Sequence, residues 1–407
     1  MEVLRRLIPA PRILVLAVLV GVLAGGASAL FLSLLERATA VRVEHEALLF
    51  ALPFVGLLVG TLYERHGKSV RAGTNLIVDG LAGDGPRVPL RMAPLVLAGT
   101  LLTHLFGGSA GREGTAVQMG GSLADEIACR LRIDASARCH LLAAGVAGGF
   151  GSVFGTPLAG AVFTLEFIVI GRLELRYACS ALVAAFVGDR TTRALGITHA
   201  AYPTLPGLDF SILTLVKLTL VALGIAAASV VFIELTSLVK RELSRLVPKL
   251  GHRMFLGGLA LVVLARLFGA HEHLGLGLPL LERALDGAST PPRTFAVKLL
   301  LTGVTLGSGF LGGEVTPLFV VGATLGSALG AALGLPPATI AAVGMVSLFG
   351  ASANTPLAVA VMTGELFGAP LVPWVLPVAF LARRLKGRRS IYSAQRHTEA
   401  APAPSNR

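Results

Sequence analysis

The sequence predicts an all-α polytopic membrane protein built from two related halves, and three observations carry that reading. Of 407 residues, 54% are hydrophobic and only 14% charged, too apolar for an ordinary soluble domain. Runs almost free of charge recur along the chain at lengths that cross all or much of a hydrocarbon core roughly 30 Å thick. Two motifs in the first half return, in the same order, in the second.

In chain order the runs cover residues 13–35, 47–62, 92–106, 140–170, 211–235, 255–265, 295–335 and 336–362. The first follows Arg5, Arg6 and Arg12 and resembles a signal peptide, but its apolar stretch continues past a short h-region, so it reads as a retained first helix. Runs such as 140–170 and 295–335 are too long for one crossing. They are expected to hold two or more helices broken at glycine, for roughly ten or more membrane segments in all. The 49 glycines and 22 prolines point the same way. Irregular backbone at membrane depth survives only where protein or a polar cavity satisfies its N–H and C=O groups, a pattern of transporters and channels rather than scaffolds.

The net charge of +12 is spread over short loops and the stretch RRLKGRRS at residues 383–390, which reads as positive charge on cytoplasmic loops and not as a nucleic-acid surface. Both chain ends are therefore expected in the cytoplasm, although the loop at 240–253 is basic as well. Cys129, Cys139 and Cys179 lack metal-ligand spacing and read as small apolar fillers. No metal and no cofactor are expected.

The repeat is the sharpest signal. TPLAGAVFTLE from Thr156 to Glu166 returns as TPLAVAVMTGE from Thr355 to Glu365, and GSAGREGT from Gly108 to Thr115 returns as GFLGGEVT from Gly309 to Thr316. The halves are placed at about 13–195 and 211–380, as an inverted repeat with tilted and broken helices. A membrane domain over 1–390 is expected, with a last helix, a short tail at 391–407 and no cytoplasmic regulatory domain.

Each half thus supplies a glycine-rich break, an acid and a threonine before an apolar helix. A helix N-terminus offers unpaired N–H groups and a positive dipole end, which together suit an anion. Glu113 is either an ordinary acid at the start of its own helix or a titratable gate. As a gate, it competes with an anion for N–H groups when ionised and withdraws when protonated. Arg112 reads as structural, bonding carbonyls or a carboxylate, because a full point charge would trap a small anion. Glu314 shows that the fold tolerates an acid at the equivalent place, while Val315 and Thr316 can line the site with uncharged donors. His104 reads as a packed residue, and Glu166 and Glu365 as holding the halves in equivalent geometry. GGSAG also fits G-x-S-x-G, so an intramembrane serine hydrolase acting through Ser109 is a remote alternative.

GREGT followed by VQMGG, then SGFLGGEVTPLFVVGA and TPLAGAVFTLE, resemble the CLC family of chloride channels and anion/proton antiporters, over about residues 56–392. The details resemble its bacterial fluoride-transporting branch. Thr115 closes the first motif where chloride members carry proline. AGTNLIVDG puts Thr74 near the family's anion-facing serine, and GGEVTP puts Val315 and Thr316 at the anion-facing positions of the second half. The branch commonly has asparagine or methionine at the first of these, so Thr74 is a departure. The resemblance implies that Glu113 is the gating and proton-coupling glutamate, supported by Gly111, Arg112, Gly114, Thr115, Gly312 and Gly313, and that Tyr392 is the anion-facing tyrosine of the last helix. Phe167 follows Glu166 where proton-coupled chloride exchangers carry a second glutamate. The resemblance therefore implies a fluoride/proton antiporter, not an enzyme, acting as a homodimer in the inner membrane of a bacterium. It would exchange fluoride or chloride for protons and bind no nucleic acid. A chloride/proton antiporter or a passive anion channel of the same fold is the alternative.

Overall fold

The computed structural model describes residues 10–397 apart from 84 and 289. Arg5 and Arg6, invoked for orientation, and the tail beyond 397 lie outside the described residues. Within them are sixteen α-helices in two matching series. The first series is α1 (Pro11–Glu44), α2 (Leu52–His66), α3 (Thr74–Leu81), α4 (Met92–Leu105), α5 (Glu113–Arg130), α6 (Ala135–Phe154), α7 (Pro157–Glu166) and α8 (Ala178–Ala194). The second is α9 (Ile212–Leu246), α10 (Leu250–Leu267), α11 (Leu278–Leu285), α12 (Arg293–Gly307), α13 (Val315–Leu333), α14 (Pro337–Ala353), α15 (Pro356–Phe367) and α16 (Val372–Leu385). Long, short and broken helices recur in the same order, so the repeat seen in two motifs extends over both halves.

The long apolar runs break as expected, and for a local reason. α6 ends on Gly155 in the left-handed region (φ 73°) and α14 ends on Asn354 (φ 61°). Each is followed by Thr-Pro, and the proline starts the next helix, where its missing N–H costs nothing. α1 and α9 hold 34 and 35 residues, about 50 Å each at 1.5 Å per residue. They exceed the membrane thickness and must lie tilted.

Glycine also sets the packing. α5 crosses α6 at Gly120 and Gly145, where a Cβ on Gly120 would stand 2.1 Å from the Gly145 carbonyl oxygen. α13 crosses α14 at Gly322 and Gly344, where a Cβ on Gly322 would stand 2.3 Å from the Gly344 oxygen. The close approach that small residues allow in membranes is used at matching places in the two halves.

α7 and α15 show that the repeat is inverted. The carboxylate of Glu166, at the end of α7, accepts from the N–H groups of Leu357 (3.1 Å) and Ala358 (2.8 Å) at the start of α15. Glu365, near the end of α15, accepts from Leu158 (3.0 Å) and Ala159 (2.7 Å) at the start of α7. Each helix caps the other's free N-terminal donors, which requires them to run antiparallel. The structural role expected of this pair is observed.

The C-terminal segment departs from expectation. Residues up to His397 are folded into the body: Ile391 N–H donates to the Ser352 carbonyl, Ala394 N–H to the Asn75 side chain at 2.9 Å, and Arg396–His397 (β2) pair in parallel with Val169–Ile170 (β1). Gln395 anchors it from a buried position, its amide nitrogen donating to the carbonyls of Phe167 (2.7 Å) and Ala353 (2.8 Å). The segment shares a face with the start of α1. It touches the start of α3, whose following loop is held by Arg138 of α6 through the Pro86 carbonyl, and α6 and α5 pack on Leu16 and Ala17. Arg389 also pairs with Glu234 in the second half of α9, the half that leads into the basic loop at 240–253.

Candidate functional site

Residues 107–112 and 309–314 are the two glycine-rich breaks, and the fold lays them against each other. Gly111 N–H donates to the Gly313 carbonyl at 2.6 Å and Gly313 N–H to the Gly111 carbonyl at 2.8 Å, an isolated antiparallel bridge between halves. No side chain fits there: a Cβ on Gly111 would meet Pro317 Cδ at 2.8 Å and the Gly313 oxygen at 2.9 Å. Gly312, at φ 153°, lies in backbone space open to glycine. The bridge sets the N-termini of α5 and α13 side by side.

Glu113 is the first residue of α5 and fully buried, yet its carboxylate does not serve α5. Oε2 accepts from the N–H of Thr316 in the first turn of α13 at 3.0 Å, and Oε1 from the Thr316 hydroxyl at 2.5 Å. Arg112 N–H adds a third bond at 3.2 Å, and Arg112 Nε stands 3.5 Å from Oε1. The reading of Glu113 as an acid complementing its own helix is thereby corrected. It crosses to the other half and occupies the backbone N–H and hydroxyl of Thr316 in the first turn of α13. Arg112 adds charge beside it, and its buried Nε has no hydrogen-bond partner among the described residues.

The rest of the predicted set divides in two. Val315 and Thr316, both buried, sit with Glu113 at the start of α13, and Gly114 packs against Gly313. Thr115 hydroxyl meets Thr100 hydroxyl at 2.8 Å, tying α5 to α4. Thr74 and Tyr392 form a second group toward the basic face. Thr74 opens α3 after Gly73 (φ 56°), and its hydroxyl accepts from Gln118 of α5 at 3.4 Å. Asn75 beside it holds the Tyr392 segment through Ala394. Tyr392 is not in the last helix. α16 ends at Leu385, and Tyr392 lies in the irregular stretch after it, because Gly387 (φ 74°) turns the chain back into the body. Its ring is buried edge-on to Phe167 (5.9 Å) and Phe163 (6.5 Å). Phe167, at the position of the missing second glutamate, is fully buried and stacks on Phe163 at 4.7 Å, so no carboxylate stands there.

Sequence reasoning passed over Gln118, Asn75 and Gln395; a buried amide inside a glycine-rich helix was the available signal for the first. It also undervalued Glu314, whose carboxylate lies beside the first turn of α5, with Oε2 3.7 Å from where a Gly114 Cβ would be. His104 is packed as expected, fully buried with its ring nitrogens at 2.8 Å from the Thr100 carbonyl and 3.0 Å from the Ala110 carbonyl. Ser109 does not meet the hydrolase requirement of a base on its hydroxyl. That hydroxyl pairs with the Thr302 hydroxyl at 2.8 Å and donates to the His273 carbonyl at 3.3 Å, not to a histidine ring.

Comparison with known proteins agrees with this fold. A family model described as voltage gated chloride channel matches residues 55–387. A "Chloride/fluoride channel protein" of Pseudomonas syringae pv. tomato is 41% identical over 389 residues, 94% of this chain and 86% of the relative. An H(+)/Cl(-) exchange transporter of Yersinia pestis is 29% identical over 329 residues, 75% of this chain and 67% of the relative. Among solved structures, a CLC-type fluoride/proton antiporter superposes with a TM-score of 0.92 at 34% identity, over 95% of this chain and 98% of that one. A slow cyanobacterial Cl−/H+ antiporter gives a TM-score of 0.81 at 22% identity, over 95% and 97% of the two chains, and supports the fold.

Proposed function

Because the chain belongs to the voltage gated chloride channel (CLC) family, we propose that it is a fluoride/proton antiporter that exports fluoride by exchange at Glu113. One observation carries the reading: the Glu113 carboxylate takes the backbone N–H and hydroxyl of Thr316 at the start of α13. An anion needs those same donors, so anion and ionised carboxylate exclude each other. Protonation removes the charge that holds Glu113 there, and the freed donors then accept an anion. Each turnover exchanges one occupant for the other, which couples the two ions without a second acid.

Fluoride holds its water tightly, and strong neutral donors offset that loss without the trapping that a buried cation would cause. Val315 N–H, Thr316, the Thr74 hydroxyl and Tyr392 supply the anion-facing positions. The basic face that carries both ends of the described chain faces the cytoplasm, in keeping with positive charge on that side of a bacterial inner membrane. An inward proton gradient then drives fluoride out. The protein works as a homodimer with a separate pathway in each subunit.

Efflux from proteoliposomes loaded with fluoride or chloride, read together with external pH, tests this. Fluoride release that moves protons uphill, with chloride much slower, is expected. Fluoride moving without protons would make it a channel, and chloride moving as readily would make it a chloride exchanger.

A further inference from the structure

On the face opposite the chain ends, a cavity of about 490 Å³ lies between the second half of α1, the linker between the halves and Arg112. Glu36 and Thr39 line it from α1, and Leu276, Leu278 and the linker's His199 line it as well. Arg112 therefore borders both this cavity and the gate carboxylate 3.5 Å away.

Two nitrogens on this cavity are buried and lack any hydrogen-bond partner among the described residues: Nε of Arg112 and Nε2 of His199. The His199 side chain is only 8% exposed, and its nearest charge is Asp189 Oδ1 at 3.7 Å. Asp189 is already engaged by Arg193 Nε at 2.9 and 3.0 Å. The ring has a built seat: a Cβ on Gly155 would stand 2.5 Å from it, so the glycine that ends α6 also makes room for His199. A buried polar nitrogen without a hydrogen bond is costly, and two of them on one cavity call for a ligand that pairs with both. Arg112 is permanently charged, which selects an anion, and the exposed Glu36 at the rim keeps that anion from being trapped.

We propose that Arg112 and His199 hold a small, partly hydrated anion in this cavity, an outer docking station from which it passes to the Thr316 donors when Glu113 leaves. The assignment rests on the fluoride/proton exchange reading and adds a residue outside the repeated motifs. The charged groups around His199 are Asp189, Arg193 and Arg112, with Glu36 on the shared cavity wall. Burial, together with Arg193 and Arg112, lowers the proton affinity of His199 below its ordinary value, while Asp189 opposes this. The ring is then neutral near pH 7, and acid on this side charges it and strengthens anion capture.

The test is initial fluoride uptake into uniformly oriented proteoliposomes, from the Glu36 side, at varied fluoride concentration. His199→Ala should raise KM roughly three- to tenfold, the loss of one modest hydrogen bond, with the saturating rate and the proton-to-fluoride ratio unchanged. Lowering the pH on that side from about 7.5 to about 5.5, across the ordinary histidine range, should lower KM more in the parent protein than in the variant, which keeps only the response that protonation of Glu113 gives. His199→Gln keeps a donor and should hold KM near the parent value at the higher pH, with only the smaller pH response of the alanine variant. Glu36→Gln should lower KM. An unchanged KM and pH response in His199→Ala overturns the docking station while leaving exchange intact. Should that variant fail to fold, a pH response in His199→Gln as large as the parent's does the same. Absence of coupled fluoride uptake in the parent protein overturns the exchange reading instead.

Discussion

Replacing Glu113 by glutamine keeps the shape of the gate and removes its charge, so the effect can be worked from the contacts. The carboxylate accepts three hydrogen bonds, two from Thr316 and one from Arg112 N–H. Bonds to a charged group are worth about 1.5–3 kcal/mol and neutral ones about 0.5–1.5 kcal/mol. The amide oxygen can take the place of Oε2, and the Thr316 hydroxyl can turn to accept from the amide nitrogen. All three bonds then survive in weaker form, and the gate loses about 2–3 kcal/mol of hold on α13. An anion competing for Thr316 gains that difference, roughly 30- to 150-fold in affinity. Calorimetric titration of fluoride into purified parent and Glu113→Gln protein at one pH measures it, with Glu113→Ala as the variant that has no occluding group. Fluoride binding no tighter in either variant would refute the competition argument, as would proton movement at the parental ratio.

Thr316→Val in the Glu113→Ala background removes a hydroxyl donor without disturbing the gate. It should weaken fluoride binding by about 1–3 kcal/mol, and unchanged affinity would exclude the hydroxyl from the site. Glu166→Gln and Glu365→Gln each replace a carboxylate that accepts two backbone N–H groups. Each should cost about 1–2 kcal/mol, seen as comparable falls in the thermal midpoint; no change in both would show that the crossed caps contribute nothing. Gly120→Ala puts a methyl 2.1 Å from the Gly145 oxygen and should drive α5 from α6, giving a sharply lowered midpoint or loss of the monodisperse peak on size exclusion. A parental midpoint would mean that the helices can separate freely there.

Features set by short stretches of chain were legible before the structure. The αL-Thr-Pro breaks come from Gly155, Asn354 and the prolines after them, and the repeat from identities visible in the sequence itself. Partners far apart in sequence were not. Glu113 and Thr316 lie about half the chain apart, so that the acid crosses to the other half follows only from the Gly111–Gly313 bridge that brings the breaks together. Tyr392 was named by resemblance but placed in a helix, because the basic stretch before it reads like a helix end continuing into a tail. Its actual setting depends on Gln395 bonding Phe167 and Ala353, and on Asn75 holding Ala394. His199 offered no signal at all, since a lone histidine in a linker gains meaning only from the cavity it lines.

The two acidic pairs of the repeat separate structure from function. Glu166 and Glu365 match in sequence and in geometry, each accepting two bonds from the start of the other's helix at near-equal distances. A pair so alike cannot distinguish one side of the membrane from the other and serves to join the halves. Glu113 and Glu314 match in sequence but differ in their partners. Each lies beside the first turn of the opposite half's helix, but Glu113 is fully buried on Thr316 with Arg112 beside it. Glu314 faces the backbone of Gly114, where no hydroxyl follows at the next turn position except Thr115, already paired with Thr100. The threonine at the start of α13, whose hydroxyl bonds the opposite half's glutamate, and the one at the start of α5, tied to Thr100, break the two-fold relation. Under the proposed exchange, that difference makes Glu113 the competitor of the anion and leaves Glu314 without that role.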